Sequence, residues 1–125
     1  MAFLIVLILF LFVFLVKGRT VHKDMPALRG WYYAHRGLHS RGIPENSMAA
    51  FRAAKSAGYG IELDVHLMKD GNLAVTHDSS LKRTTGADVS IEELTVSQLN
   101  DYRLEGTEEK IPLFSQVLEL FAGEA

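Results

Sequence analysis

The chain has 125 residues, 48% hydrophobic and 22% charged, with a formal net charge of −2, which is the composition of a globular protein. Beyond residue 60 thirteen acids stand against five bases, so the basic surface that nucleic acid requires is missing and nucleic-acid binding is disfavoured. There is no cysteine, which rules out disulfides and thiolate metal sites and leaves carboxylates and histidines as the only strong ligands for a metal.

Residues Ala2 to Val16 are apolar without exception. As a helix this run rises about 22 Å, and Met1, Gly18 and a snorkelling Lys17 extend it toward the roughly 30 Å of a bilayer core. Lys17 and Arg19 follow the run, where a cleavable leader would carry its positive charge in front. The expectation is therefore an uncleaved single-pass transmembrane anchor over 1–18, a juxtamembrane linker over 19–30 and a globular part over 31–125. Six bases from Lys17 to Arg41 face the single acid Asp24, a bias that places the globular part on the cytoplasmic side, against membrane lipid.

The globular part opens with a strand over Trp31 to Ala34 that ends at His35-Arg36-Gly37. A loop leads to Pro44, Glu45-Asn46-Ser47 opens a helix, and Met48, Phe51 and Ala54 recur at helical spacing until Gly58 closes it. Ile61 to Leu67 then alternate, with Ile61, Leu63, Val65 and Leu67 on one face and Glu62, Asp64 and His66 on the other. Asp70-Gly71 suits a two-residue hairpin turn, with Leu73 to His77 returning as the next strand. Such a turn pairs Lys69 with Asn72 and sets His77 opposite Asp64. Downstream, Ser90 and Glu93 have the spacing of a capping box, and Ile111-Pro112 introduces a helix carrying Leu113, Val117, Leu118 and Phe121 before Gly123.

The chemistry gathers on the acidic face. Two carboxylates at i and i+2 of a strand repel unless a cation such as Mg²⁺ or Ca²⁺ lies between them. An isolated Glu-Leu-Asp is more often a solvated strand face, but here two histidines and an arginine join it. Arg36 has the forked donors that grip a phosphate oxygen, and two imidazoles beside a metal suit cleavage of a phosphate ester: one takes a proton from the nucleophile and the other gives one to the leaving alcohol. His66 shares the face as a rim residue, while His22 and His39 fall in loops. Ser47 lacks a nucleophile-elbow context and is read as a helix-opening residue.

The run His35-Arg36-Gly37, Pro44-Glu45-Asn46-Ser47, Glu62-Leu63-Asp64-Val65, Lys69-Asp70-Gly71, His77-Asp78 and Leu81-Lys82-Arg83-Thr84-Thr85-Gly86 resembles the glycerophosphodiester phosphodiesterase family in order and spacing, over about residues 31 to 121. The resemblance implies an α/β fold, the N-terminal portion of a TIM-type (β/α)₈ barrel with its site at the carboxyl ends of the strands. It implies that His35 and His77 are the acid/base pair, that Glu62 and Asp64 ligate a divalent cation, that Arg36 holds phosphate, and that Glu45 neighbours the metal site. The implied activity is metal-dependent hydrolysis of glycerophosphodiesters, lipid-derived ones included, to an alcohol and glycerol phosphate. The family takes a third carboxylate ligand from a later strand, which this chain does not offer, since Glu119 sits within a helical pattern. That departure, and a barrel that needs about 250 residues, lead to the expectation of a fragment inactive on its own. The alternative is a catalytically silent anchored module that binds phosphate or a partner.

Overall fold

The computed structural model describes residues 2–16 and 29–122. The chain divides into two compact units, residues 1–30 and 31–125. In the first, helix α1 spans Ala2–Val16, and its side chains from Phe3 to Leu15 are exposed. Fifteen residues rise about 22 Å, and among the described residues no helix is long and apolar enough to cross a membrane. The expected single-pass anchor, and with it the placement of the globular part on the cytoplasmic face of a membrane, is thereby overturned. Lys17 and Gly18, enlisted to lengthen the helix, lie outside the described residues, as do His22 and all but the last two positions of the linker.

In the second unit, β1 (Tyr33–His35) pairs in parallel with β2 (Gly60–Glu62), setting Ala34 beside Ile61 and His35 beside Glu62. Helix α2 (Met48–Ser56) connects them. Ser47 caps it: its hydroxyl accepts from Ala50 N at 3.1 Å and donates to Pro44 O at 2.7 Å. Ala50, Phe51 and Ala54 form its fully buried face. The strand-loop-helix unit read from the sequence is thus present, and β2 completes it in parallel with β1.

The alternating segment that follows is not one strand. Arg36 N donates to Glu62 O at 3.0 Å on one side, whereas Thr76 N donates to Asp64 O at 3.1 Å on the other, so the chain changes partners at Leu63-Asp64. It resumes as β3 (Val65–Leu67), antiparallel to β4 (Leu73–Val75). The register differs from expectation by one residue: Val65 pairs with Val75, His66 with Ala74 and Leu67 with Leu73. A two-residue type I′ turn needs positive φ at both central positions. Only Gly71, at φ +83°, adopts it, and the connection is a three-residue loop closed by Met68 N to Asn72 O at 2.8 Å. Thr76, not His77, therefore meets Asp64.

Beyond β4 come α3 (Lys82–Thr85), a 3₁₀ turn (Ile91–Glu93), α4 (Val96–Leu99) and α5 (Phe114–Phe121). The expected Ser90 cap does not form, because the Ser90 hydroxyl turns to Glu92 and to Ser79 Oγ. A cap of this kind stands at Thr95 instead, whose backbone N–H donates to Gln98 Oε1 at 2.9 Å. One core gathers Met68, Ala74, Leu81, Ile91, Leu94, Leu99, Leu104 and Ile111. A second packs Phe51 of α2, Val75 of β4 and Val117 of α5, with Ile61 and Leu63 against it. Strands β2 and β4 are thus pinned from one side by the helices, which leaves their carboxyl ends free to carry polar groups.

Candidate active site

The first wall of the site is the turn after β1. Arg36 sits at φ +56° and Gly37 at φ +80°, a left-handed pair that folds the chain back so that Leu38 N donates to Ala50 O at 3.0 Å. Glycine is required at 37 because a Cβ there would lie 2.8 Å from Ala50 Cβ. The same turn brings Arg36 O to accept from Asn46 N at 2.9 Å, tying the loop before α2 to the strand end.

From this turn the Arg36 side chain, largely covered, points into a group of acids. Its Nη1 lies 3.1 Å from Glu45 Oε1 and its Nε 3.7 Å from Asp64 Oδ2. Its backbone N also lies 3.3 Å from Glu62 Oε2, and His35 Nε2 is 3.9 Å from that oxygen. Asn46 is buried, with Nδ2 3.5 Å from Asp64 Oδ2. His35, Arg36, Glu45, Glu62 and Asp64, all selected from the sequence, therefore meet at one place. The Glu62 carboxylate is half-exposed and the His35 ring mostly so, leaving the cluster open to a ligand.

His77 stands elsewhere than the hairpin argument placed it. Its Nδ1 lies 2.6 Å from Asp78 Oδ1, and Asp78 Oδ2 accepts from Arg83 Nε at 2.6 Å. Arg83 Nη2 in turn donates to Glu45 Oε1 at 2.6 Å, the oxygen that Arg36 also reaches. His77 thus joins the first cluster through Asp78, Arg83 and Glu45. The bond from Arg83, followed by the charges of Arg83 and Arg36, holds Glu45 below the usual carboxylate range against the opposing effect of burial. Asp78 is lowered likewise by its bonds to His77 and Arg83.

His66, read as a rim residue, faces a different partner set. Its Nδ1 is 2.6 Å from Glu92 Oε1 and its Nε2 3.1 Å from His77 O. Burial acts against its charge, but the His77 carbonyl and Glu92 outweigh that and raise its pKa. Hydrogen bonds from Ser90 and Ser79 bring Glu92 down to about 2. His39 is exposed in its loop.

Asp78, Arg83, Asn46 and Glu92 received no part in the site from the sequence, although the first three stand in the motifs that carry the resemblance. Arg83 stands 38 positions from Glu45 and Asp78 follows the histidine directly, so no periodicity marks either contact. The donors at Glu62 and Asp64 are hard oxygens suited to Mg²⁺ or Ca²⁺, and they would supply only part of a shell of about six to eight ligands. Among the described residues no group of three or more histidines and acids comes together to hold a metal ion.

Residues 35–125 match the model of the glycerophosphoryl diester phosphodiesterase family, a span that contains every residue of the site. The chain belongs to that family. It is 42% identical over 94 residues to a glycerophosphodiester phosphodiesterase of Caldanaerobacter subterraneus, covering 70% of this chain and 38% of the relative. It is 37% identical over 103 residues to a lysophospholipase D of Rattus norvegicus, covering 72% and 32%. The solved structure of an Oleispira antarctica phosphodiesterase in complex with the product sn-glycerol-3-phosphate superposes with a TM-score of 0.66 at 29% identity, covering 76% of this chain and 41% of that one. The chain thus spans about a third of the length of the curated relatives it matches.

Proposed function

We propose that the protein hydrolyses glycerophosphodiesters, releasing an alcohol and glycerol phosphate, and that residues 31–125 are the opening part of a (β/α)₈ barrel of this family. The observation that carries this reading is the meeting of His35, Arg36, Glu62 and Asp64 at the ends of the paired strands β1 and β2, with His77 tied to them through Asp78, Arg83 and Glu45. The chain's likeness to a lysophospholipase D and to a phosphodiesterase holding sn-glycerol-3-phosphate supports lipid-derived diesters as substrates.

In this reading Arg36 supplies forked donors to a phosphate oxygen, and Glu45 and Asp64 hold its guanidinium in place. Glu62 and Asp64 would hold a divalent cation, which when bound draws negative charge from the phosphate oxygens. His35 and His77 divide the proton work. One takes the proton of the attacking oxygen as its bond to phosphorus forms, and the other protonates the alcohol oxygen as its bond to phosphorus breaks. A carboxylate can only accept, so Asp78 keeps a proton on His77 Nδ1 and leaves Nε2 for this exchange.

The test is turnover of sn-glycero-3-phosphocholine by the natural product that carries this chain. Release of glycerol phosphate that stops on chelation and returns with Mg²⁺ or Ca²⁺ is expected. Full activity in the presence of chelator would contradict the reading.

A further inference from the structure

Among the described residues, the guanidinium of Arg83 is a group that touches both halves of the site. Its Nε donates to Asp78 Oδ2 and its Nη2 to Glu45 Oε1, each at 2.6 Å. Asp78 in turn holds His77 Nδ1 at 2.6 Å, and Glu45 holds Arg36 Nη1 at 3.1 Å. The unbroken order is His77, Asp78, Arg83, Glu45, Arg36, with Glu45 Oε1 shared between two guanidinium groups that would otherwise repel. The base of this arrangement is firm. Arg83 lies on α3, where Leu81 is fully buried in the first core, Thr84 is buried, and Thr85 Oγ1 bonds Leu81 O at 2.9 Å. That packing fixes one side of the short helix and sends residue 83 to the other.

Planar geometry matters here. A guanidinium presents donors in a rigid fork and can satisfy two carboxylates set at an angle, whereas an ammonium is a point charge on a flexible stem. Lys82, the neighbour on the same turn, serves neither carboxylate and pairs with Asp88 at 2.9 Å.

We infer that Arg83 is a positioning residue, a two-ended clamp that aligns His77 through Asp78 and Arg36 through Glu45, so that proton transfer and phosphate binding share one frame. This rests on the proposed hydrolase reading for its effect on turnover, though not for its effect on the histidine. Through Asp78 the clamp holds the His77 proton on Nδ1; without it Asp78 is free to turn, and the ring samples both tautomers.

The experiment compares Arg83→Gln, Arg83→Lys, Asp78→Asn and the control Lys82→Gln in the full protein, each checked by circular dichroism. Two quantities are read: the His77 tautomer from ¹⁵N imidazole shifts, and kcat and KM on sn-glycero-3-phosphocholine. Arg83→Gln should mix the His77 tautomers and lower kcat by roughly 10- to 100-fold, as loss of an orienting partner does. Arg83→Lys should fall between it and wild type, Asp78→Asn should mix the tautomers as fully as Arg83→Gln, and Lys82→Gln should match wild type in both readouts. A purely structural Arg83 would lower thermal stability and active fraction while leaving the tautomer and the kcat of the folded fraction unchanged, and that result would overturn the clamp. So would an unaltered tautomer in Asp78→Asn. If wild type turns over no glycerophosphodiester, the hydrolase reading fails, and the tautomer shifts still decide whether the clamp exists.

Discussion

Replacing Gly37 and Gly86 separately by alanine isolates what the turn after β1 demands. Both glycines sit at φ +80°, so both substitutions carry the same backbone cost, about 1–2 kcal/mol for an L-residue in the left-handed region. They differ in surroundings. At Gly86, which caps α3, a Cβ would meet nothing within 4 Å. At Gly37 it would lie 2.8 Å from Ala50 Cβ, 3.0 Å from the Ala50 carbonyl carbon and 3.1 Å from Phe51 Cδ1. Ala50 and Phe51 are fully buried on α2 and held by the Ser47 cap, so they cannot retreat without disturbing the second core. Overpacking of this kind adds about 1–3 kcal/mol. Gly37→Ala should therefore cost about 2–5 kcal/mol in total and Gly86→Ala about 1–2 kcal/mol. Urea unfolding followed by circular dichroism measures both. Equal losses for the two variants would refute the argument, because the close approach of the turn to α2 would then contribute nothing.

Ser47→Ala removes both the acceptor for Ala50 N and the donor to Pro44 O, and should lower stability by about 1–2 kcal/mol in the same assay; a loss below the scatter would show that the cap is not formed. The Glu92 carboxylate, lowered to about 2 by Ser90 and Ser79 from an ordinary 4.5, stabilises the fold above pH 4.5, and that contribution fades as pH falls toward 2. Glu92→Gln should accordingly be less stable than wild type at neutral pH and converge with it across that window, as urea midpoints at successive pH values would register. A pH-independent gap would contradict the assignment.

What could be read from the sequence was local. Ser47 before Met48, Phe51 and Ala54, with Gly58 beyond, specifies a helix through capping and period, and α2 formed within a residue of where the pattern put it. The hairpin was visible in direction and wrong in register, because Asp70-Gly71 names a turn without saying whether both residues take positive φ. That one-residue difference put Thr76 where His77 was expected. The break at Leu63-Asp64 was hidden for a related reason: alternation records which way side chains face, and the change of partner from β1 to β4 is a matter of backbone hydrogen bonding. The anchor reading joined apolarity, which α1 retains, to a length that flanking residues were expected to extend, and among the described residues the helix is too short to cross a membrane. Arg83 stood in the run that carries the family resemblance, but its role was hidden because a fork that joins Glu45 to Asp78 depends on how α3 packs, and no spacing in the chain announces it.

The division of labour between histidines and acids is the centre of the proposed function, and it is tested by measuring metal affinity and turnover on the same variants of the natural product. With Mn²⁺ as a paramagnetic probe, His35→Ala and His77→Ala should bind the ion nearly as wild type does while losing most of kcat on sn-glycero-3-phosphocholine. Glu62→Ala and Asp64→Ala should instead weaken binding by at least 10-fold, as expected when a liganding group is lost. Turnover indifferent to both histidine changes, or ion affinity indifferent to both carboxylate changes, would contradict it.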